Sequence, residues 1–265
     1  MGRVWAAMIA TLWLLWSAPS WADETPVALL AGRWTYDAAR SRVLDPDLRI
    51  TTVAAGTLHA EGIPGAPYEF DPAGGSRPLQ NGRAIVWTPV SHDTWQVTRS
   101  KSGEVLETIT VTLSGNTLHN VTHGTLPDGS PYQRTVTYRR VGQGEGLVGL
   151  WRSVKVDTGA TWDGFVISTS SNGVVTWRVP TDLQTITGHF DGSDLAIVGP
   201  KGPTGSTMAF QVAGPRRFDY VIKNGAQVAQ RGTITLSLDR HWLTDLSWNV
   251  AQPTRKSALV YKRDQ

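Results

Sequence analysis

His119 and His123 are the residues whose type and spacing first point to chemistry. His119 lies within Thr117–Thr122, which reads as a strand, and His123 belongs to the same strand if it continues one residue further. Alternate residues of a strand share a face, so both imidazoles would point the same way, with Val121 between them. Two such imidazoles can ligate a metal ion, provided that a third ligand joins them. The candidates for that third ligand are His59, His92 and Glu69.

The second half of the chain argues against a metal centre. Its positions that match His119 and His123 are Thr244 and Trp248, which cannot form the same ligand set. We therefore predict no metal site and no cofactor. His119 and His123 are then polar residues of a surface or of a lumen that holds a ligand.

Tryptophan supplies the other candidate contacts. Four tryptophans share strand parity with aliphatic residues: Trp87, Trp95, Trp242 and Trp248. Aromatic side chains on the inner face of a barrel can line an apolar ligand cavity, or they can fill a small core without one. We predict these four residues, together with His119 and His123, as ligand contacts.

Sequence motifs for catalysis are missing. The chain has no Gly-x-Ser-x-Gly, no phosphate-binding glycine loop and no His-Glu-x-x-His. The chain contains no cysteine, which excludes disulfides, a thiolate metal site and a cysteine nucleophile. A carboxylate pair for glycoside chemistry stays open, because spatial pairing is invisible in sequence. The net charge of +3 is small and dispersed, so we expect no nucleic-acid partner.

The segments of the chain that carry these residues have the sequence pattern of β-strands. Glu107–Leu113 alternates polar and apolar residues with period two, which indicates a half-buried strand. Lys101–Glu104 is a turn between two such runs, as expected for a hairpin. No segment keeps a 3.6-residue apolar period beyond two turns, so the sequence predicts an all-β fold.

A repeat organises these strands into two units. Leu30, Gly32 and Trp34 recur in the same order as Leu147, Gly149 and Trp151, and the endings 136–140 and 259–263 also resemble each other. Weaker matches between these points keep their order, which chance would not give. Three glycines in 142–146 favour a flexible linker there. We predict domains at 23–141 and 147–265, joined by 142–146.

The amino terminus reads as a secretory signal. Residues 1–22 combine Arg3, an uncharged apolar run and small residues at Ser20 and Ala22. The run is short against the ~20 residues that a membrane span needs, so we expect cleavage and no stable span afterwards. The predicted location is the periplasm or the exterior, and the oligomeric state is undetermined.

The frame resembles the lipocalin and calycin pattern, and more closely the secreted lipocalin-like proteins of soil bacteria. The resemblance rests on Gly32-x-Trp34 before a run of antiparallel strands and on Arg140 in the closing strand. It implies two tandem antiparallel up-and-down β-barrels. The rival architecture is one larger barrel or sandwich built from two half-units.

The resemblance also implies a structural plug at one end of each barrel. In it a cation on the last strand covers the tryptophan of the first strand. We expect Arg140 over Trp34, and Arg263 or Lys262 over Trp151, with Gly32 and Gly149 completing the two motifs.

These observations favour non-catalytic binding of a small apolar or amphipathic molecule. One alternative is an enzyme on a two-domain lipocalin-like scaffold, such as a hydratase or isomerase of an apolar substrate. The other is a structural protein of the cell envelope.

Overall fold

The computed structural model describes residues 25–62, 67–79, 82–158 and 163–264, so the predicted signal 1–22 lies outside it. A 3₁₀ turn, Ala28–Leu30, precedes twenty strands. In chain order these are β1 Gly32–Tyr36, β2 Leu48–Ala54, β3 Thr57–Glu61, β4 Tyr68–Phe70, β5 Gly75–Pro78, β6 Arg83–Ser91, β7 Thr94–Lys101, β8 Glu104–Ser114, β9 Thr117–Thr125, β10 Pro131–Val141, β11 Gly149–Asp157, β12 Gly164–Thr169, β13 Val175–Val179, β14 Gln184–Gly188, β15 Asp191–Gly199, β16 Gly202–Gly214, β17 Arg217–Asn224, β18 Gln227–Leu236, β19 Trp242–Asn249 and β20 Ser257–Arg263. No helix in the described ranges is long and apolar enough to cross a membrane.

The strands form two antiparallel ten-stranded sheets, which confirms the predicted all-β, two-barrel fold. The first sheet runs β4-β3-β2-β11-β10-β9-β8-β7-β6-β5, and we call it the first barrel. The second barrel comprises β1 and β12 to β20 and is closed, because β1 pairs with both β12 and β20. In the first barrel β4 and β5 approach each other without a ladder of paired residues. We call this gap the seam.

The two copies of the Gly-x-Trp strand are exchanged between the repeats. β1 opens the first repeat along the chain, but Gly32 pairs with Ile167 and Trp34 with Arg263, both in the second barrel. β11 opens the second repeat, but it pairs with β10 and β2 in the first barrel. Each barrel is therefore completed by the opening strand of the other repeat.

This exchange makes the first barrel continuous in sequence, from β2 to β11. It is inserted between β1 and β12 of the second barrel. Residues 142–146, predicted as an interdomain linker, lie in the connection between β10 and β11, whose ends pair through Val141 and Leu150. A short connection favours the pairing of sequential antiparallel strands, which accounts for the position of β11.

The core of the second barrel is a stack of aromatic rings. Phe190 and Phe210 stack with ring centroids 4.1 Å apart, and Phe210 stacks on Trp177 at 5.5 Å. Phe165 lies 4.3 Å from Trp177 and 4.6 Å from Tyr261. Offset and tilted ring contacts at these distances fill the interior and add to the gain from apolar burial.

Candidate functional site

Both predicted plugs exist, but each joins partners other than those expected. The Arg140 guanidinium lies 4.1 Å from the ring of Trp151, and that of Arg263 lies 4.5 Å from the ring of Trp34. The expected pairs, Arg140 with Trp34 and Arg263 with Trp151, are wrong because the opening strands are exchanged. Lys262 is also excluded as the partner of Trp151, since it lies on β20 opposite Thr35.

The two plugs repeat each other in the bonds that they make to the segment before the tryptophan. The indole N–H of Trp151 donates to the Leu147 carbonyl at 2.8 Å, and Trp34 donates to Leu30 at the same distance. Each arginine also donates to carbonyls of the segment before its tryptophan. Arg140 donates to Gly146 and Val148, whereas Arg263 donates to Leu29 and Ala31. Desolvation by this packing lowers the pKa of the Arg140 guanidinium from its usual value.

Glycine in the Gly-x-Trp motif has a steric reason. Gly32 and Gly149 have φ of +143° and +148°, a conformation that side-chain-bearing residues rarely adopt. A Cβ on Gly149 would also lie 3.0 Å from Nη1 of Arg140. Glycine at this position therefore lets the arginine side chain pack closely against the backbone of the motif, and the role of the motif is structural.

Trp87 and Trp95 lie inside the first barrel, as their strand parity predicted. Both are buried, and the Trp87 ring stacks on Phe70 with centroids 4.1 Å apart. Trp95 meets Trp87 edge to face at 6.4 Å and donates its N–H to the Pro72 carbonyl at 3.0 Å. The Trp87 indole N–H has a weak contact with the Tyr68 phenol and no hydrogen bond of normal geometry among the described residues.

The opposite end of the first barrel from its plug, which we call its mouth, carries a polar cluster. Arg99 and Glu107 form an ion pair at 2.8 Å, and the Tyr132 hydroxyl donates to Glu107 at 2.6 Å. Burial raises the pKa of the Tyr68 phenol, which Arg99 partly offsets. Burial, with the negative charge of Glu107, also raises the pKa of Tyr132. Both phenols therefore stay neutral hydrogen-bond donors at any physiological pH.

A small cavity remains between this cluster and the aromatic core. Its volume is 40 Å³, and its lining includes Arg99, Asn120 and Trp87 among aliphatic side chains. The Asn120 Oδ1 atom is buried without a hydrogen-bond partner among the described residues, and the Trp87 N–H has only a weak contact with the Tyr68 phenol. An unpaired buried polar group costs about 1–3 kcal/mol. The lumen thus combines apolar walls with an unpaired amide oxygen, a weakly bonded indole N–H and a guanidinium.

The second barrel has a buried carboxyl group at the position that matches Asn120 of the first barrel. The Tyr220 hydroxyl donates to Oδ1 of Asp245 at 2.9 Å, and Asp245 corresponds to Asn120 in the repeat. Burial raises the pKa of the Asp245 carboxyl to about 6, and the bond from Tyr220 only partly opposes that rise. The aromatic stack occupies the space beside it.

The remaining predicted contacts lie on outer faces. Leu118 and Leu243 are the buried residues that point inward, so their neighbours His119 and Trp242 point outward, as do His123 and Trp248. His119 Nδ1 lies 3.2 Å from the Thr137 hydroxyl. Trp242 is covered by Arg40 at 4.2 Å and Trp248 by Lys256 at 4.6 Å. These four do not line a lumen, and their role as ligand contacts stays a prediction.

The sequence predicted the wrong inward face for β9 and β19, because the residues that point inward on these strands become polar towards the mouth. The inward residues after Leu118 and Leu243 are Asn120 and Asp245, so hydrophobicity alone favoured the opposite face. Arg99 and Asn120 were missed for the same reason. No group of three or more metal-binding side chains occurs among the residues that the structure describes.

The fold defines the chain as a two-barrel all-β protein. Comparison with family models, with curated proteins and with solved structures gives no match.

Proposed function

We propose that the chain is a secreted lipocalin-like protein that binds a small amphipathic molecule, without catalysis, in the lumen of the first barrel. The observation that carries the proposal is the unpartnered Asn120 Oδ1, beside a Trp87 N–H that has only a weak contact with Tyr68, in an otherwise apolar lumen. A ligand hydroxyl could accept from the Trp87 N–H and donate to Asn120 Oδ1, and Arg99 could hold an acidic end.

The seam supports an entry route. Small-molecule sites usually measure about 300–1,000 Å³, so a lumen of 40 Å³ must widen to admit a ligand. The first barrel lacks hydrogen bonds between β4 and β5, so these strands can separate without loss of ladder bonds. The second barrel is closed and filled with rings, which favours a structural role for it.

Filling the cavity tests the proposal. Ala60 is 1% exposed and lines the cavity, so Ala60→Leu should occupy the ligand's space. We expect tryptophan emission to respond to members of a panel of fatty acids, terpenoids and pigments. The apparent Kd of the responding ligand should rise at least about tenfold in Ala60→Leu, a loss of about 1.4 kcal/mol.

Ala209→Leu is the matched control, because Ala209 points outward from β16 of the second barrel, between buried Met208 and Phe210. It should leave the Kd unchanged. An unchanged Kd in Ala60→Leu, or no response to any member of the panel, would contradict binding in the lumen.

A further inference from the structure

A second concave site lies between the two barrels. It has a volume of 640 Å³, within the range of small-molecule sites. The outer face of β2, β3 and β11 forms one wall, and the loop 250–256 between β19 and β20 forms the other. The segment that joins β1 to β2 contributes Arg42 and Leu44. This cleft is separate from the lumen of the first barrel.

A largely buried ion pair fixes the floor of the cleft. Asp47 Oδ1 lies 3.2 Å from Arg255 Nη1 as an ion pair, and their side chains are 12% and 16% exposed. Arg255 also crosses to the first barrel, donating to the carbonyls of Asp45 at 3.2 Å and Ser153 at 3.0 Å. The Gln252 side chain accepts the Asp47 backbone N–H at 3.1 Å. These bonds hold the two walls at a fixed separation.

The cleft carries more positive than negative charge. Its lining includes four arginines and two carboxylates. Asp47 is shared between Arg255 and Arg152, the latter at 3.4 Å, and Glu61 lies 3.3 Å from His59. Arg42 and Arg49 are exposed and form no ion pair within the described ranges. The Nε atom of Arg255 is buried without a hydrogen-bond partner there.

We propose that this cleft binds a small organic anion that carries two or more phosphate or carboxylate groups. Guanidinium groups pair with both kinds of oxyanion through two parallel hydrogen bonds, which fixes orientation as well as charge. Arg42 and Arg49 come from different segments, so two anionic groups on one molecule can engage both. Leu44, Leu150 and Pro253 provide apolar contact for its carbon skeleton.

The experiment is calorimetric titration of the purified protein with pyrophosphate and with citrate at low ionic strength. Arg42 and Arg49 are exposed, so Arg42→Gln/Arg49→Gln should leave the unfolding midpoint unchanged. The matched control is Arg178→Gln/Arg231→Gln, which removes two exposed charges from the outer face of the second barrel. It separates site binding from the effect of net charge.

We expect at least one probe to bind, with a Kd that rises about tenfold or more in Arg42→Gln/Arg49→Gln and less than about twofold in the control. Binding of pyrophosphate alone would identify phosphate as the ligand group, and binding of citrate alone would identify carboxylate. The proposal is overturned if neither probe binds, or if both double variants weaken binding equally. The cleft is separate from the lumen of the first barrel, so Ala60→Leu should not affect these titrations. Failure of ligand binding in the lumen is therefore distinguishable from failure of anion binding in the cleft.

Discussion

At the scale of single residues, one buried carboxyl has a measurable consequence. The pKa of Asp245 is about 6 in the folded state, against 3.8 for the unperturbed group. At this carboxyl the folded protein therefore binds more protons than the unfolded chain between these values, so the contribution of Asp245 to stability is most favourable below about pH 4 and is lost as the pH rises through 6. Burial of the charged form is what costs stability.

Asp245→Asn should remove this cost while keeping an oxygen that accepts the Tyr220 bond. We expect the free energy of unfolding at pH 7.5 to rise by on the order of 2–3 kcal/mol, with little change at pH 4. Urea unfolding at both pH values measures it. Asp219→Asn is the control, since that carboxylate is half-exposed and paired with Arg217, and its loss should not stabilise the protein. Equal destabilisation by Asp245→Asn at both pH values would show that burial does not control this carboxyl.

At the scale of elements, β10 and β11 are joined by their plug. Arg140 covers Trp151 and bonds to the segment before it, so losses from Arg140→Ala and Trp151→Ala should not add. We expect a coupling energy of about 1–2 kcal/mol from a double-mutant cycle in urea. Trp151→Ala alone should cost about 3–5 kcal/mol, because it leaves a large cavity.

Trp34 is the internal control for that cycle. It has the same motif but belongs to the other barrel, so Arg140→Ala and Trp34→Ala should have additive effects. Arg139 is exposed and its substitution by alanine should cost little. Coupling of Arg140 to Trp34 rather than to Trp151 would mean that the strands are not exchanged.

At the scale of the whole molecule, the insertion of one barrel into the other predicts unequal fragments. Residues 44–158 contain every strand of the first barrel and should unfold cooperatively by themselves. Residues 158–265 lack β1, which leaves β12 and β20 without their shared neighbour. That fragment should show no cooperative transition in circular dichroism.

Addition of a peptide of residues 25–37 should restore the missing strand and its plug. We expect it to return a cooperative β-type transition to the fragment 158–265, whereas the same peptide with Trp34→Ala should not. A fragment 158–265 that folds cooperatively without the peptide, or a fragment 44–158 that does not fold, would contradict the insertion.

Much of this architecture follows from the sequence alone. Period-two alternation such as that of Glu107–Leu113 reports which side of a strand is apolar, and that is a local property. The repeat of Leu, Gly and Trp at 30–34 and 147–151 predicted two barrels, and the parity of Trp87 and Trp95 placed them inside the first. The plug residues were also predicted, because the resemblance of the two motifs to a known barrel pattern implies a cation on the closing strand.

The partners of those residues were decided only by the tertiary structure. The two Gly-x-Trp strands carry the same motif, so the motif by itself cannot say which strand completes which barrel. The connection from Val141 to Gly149 lets β11 pair directly with β10, and β1 is then left to close the second barrel. The lumen residues Asn120 and Asp245, and the arginines of the cleft, were hidden for a related reason. A polar residue shows its role only through what surrounds it, and those surroundings come from distant parts of the chain.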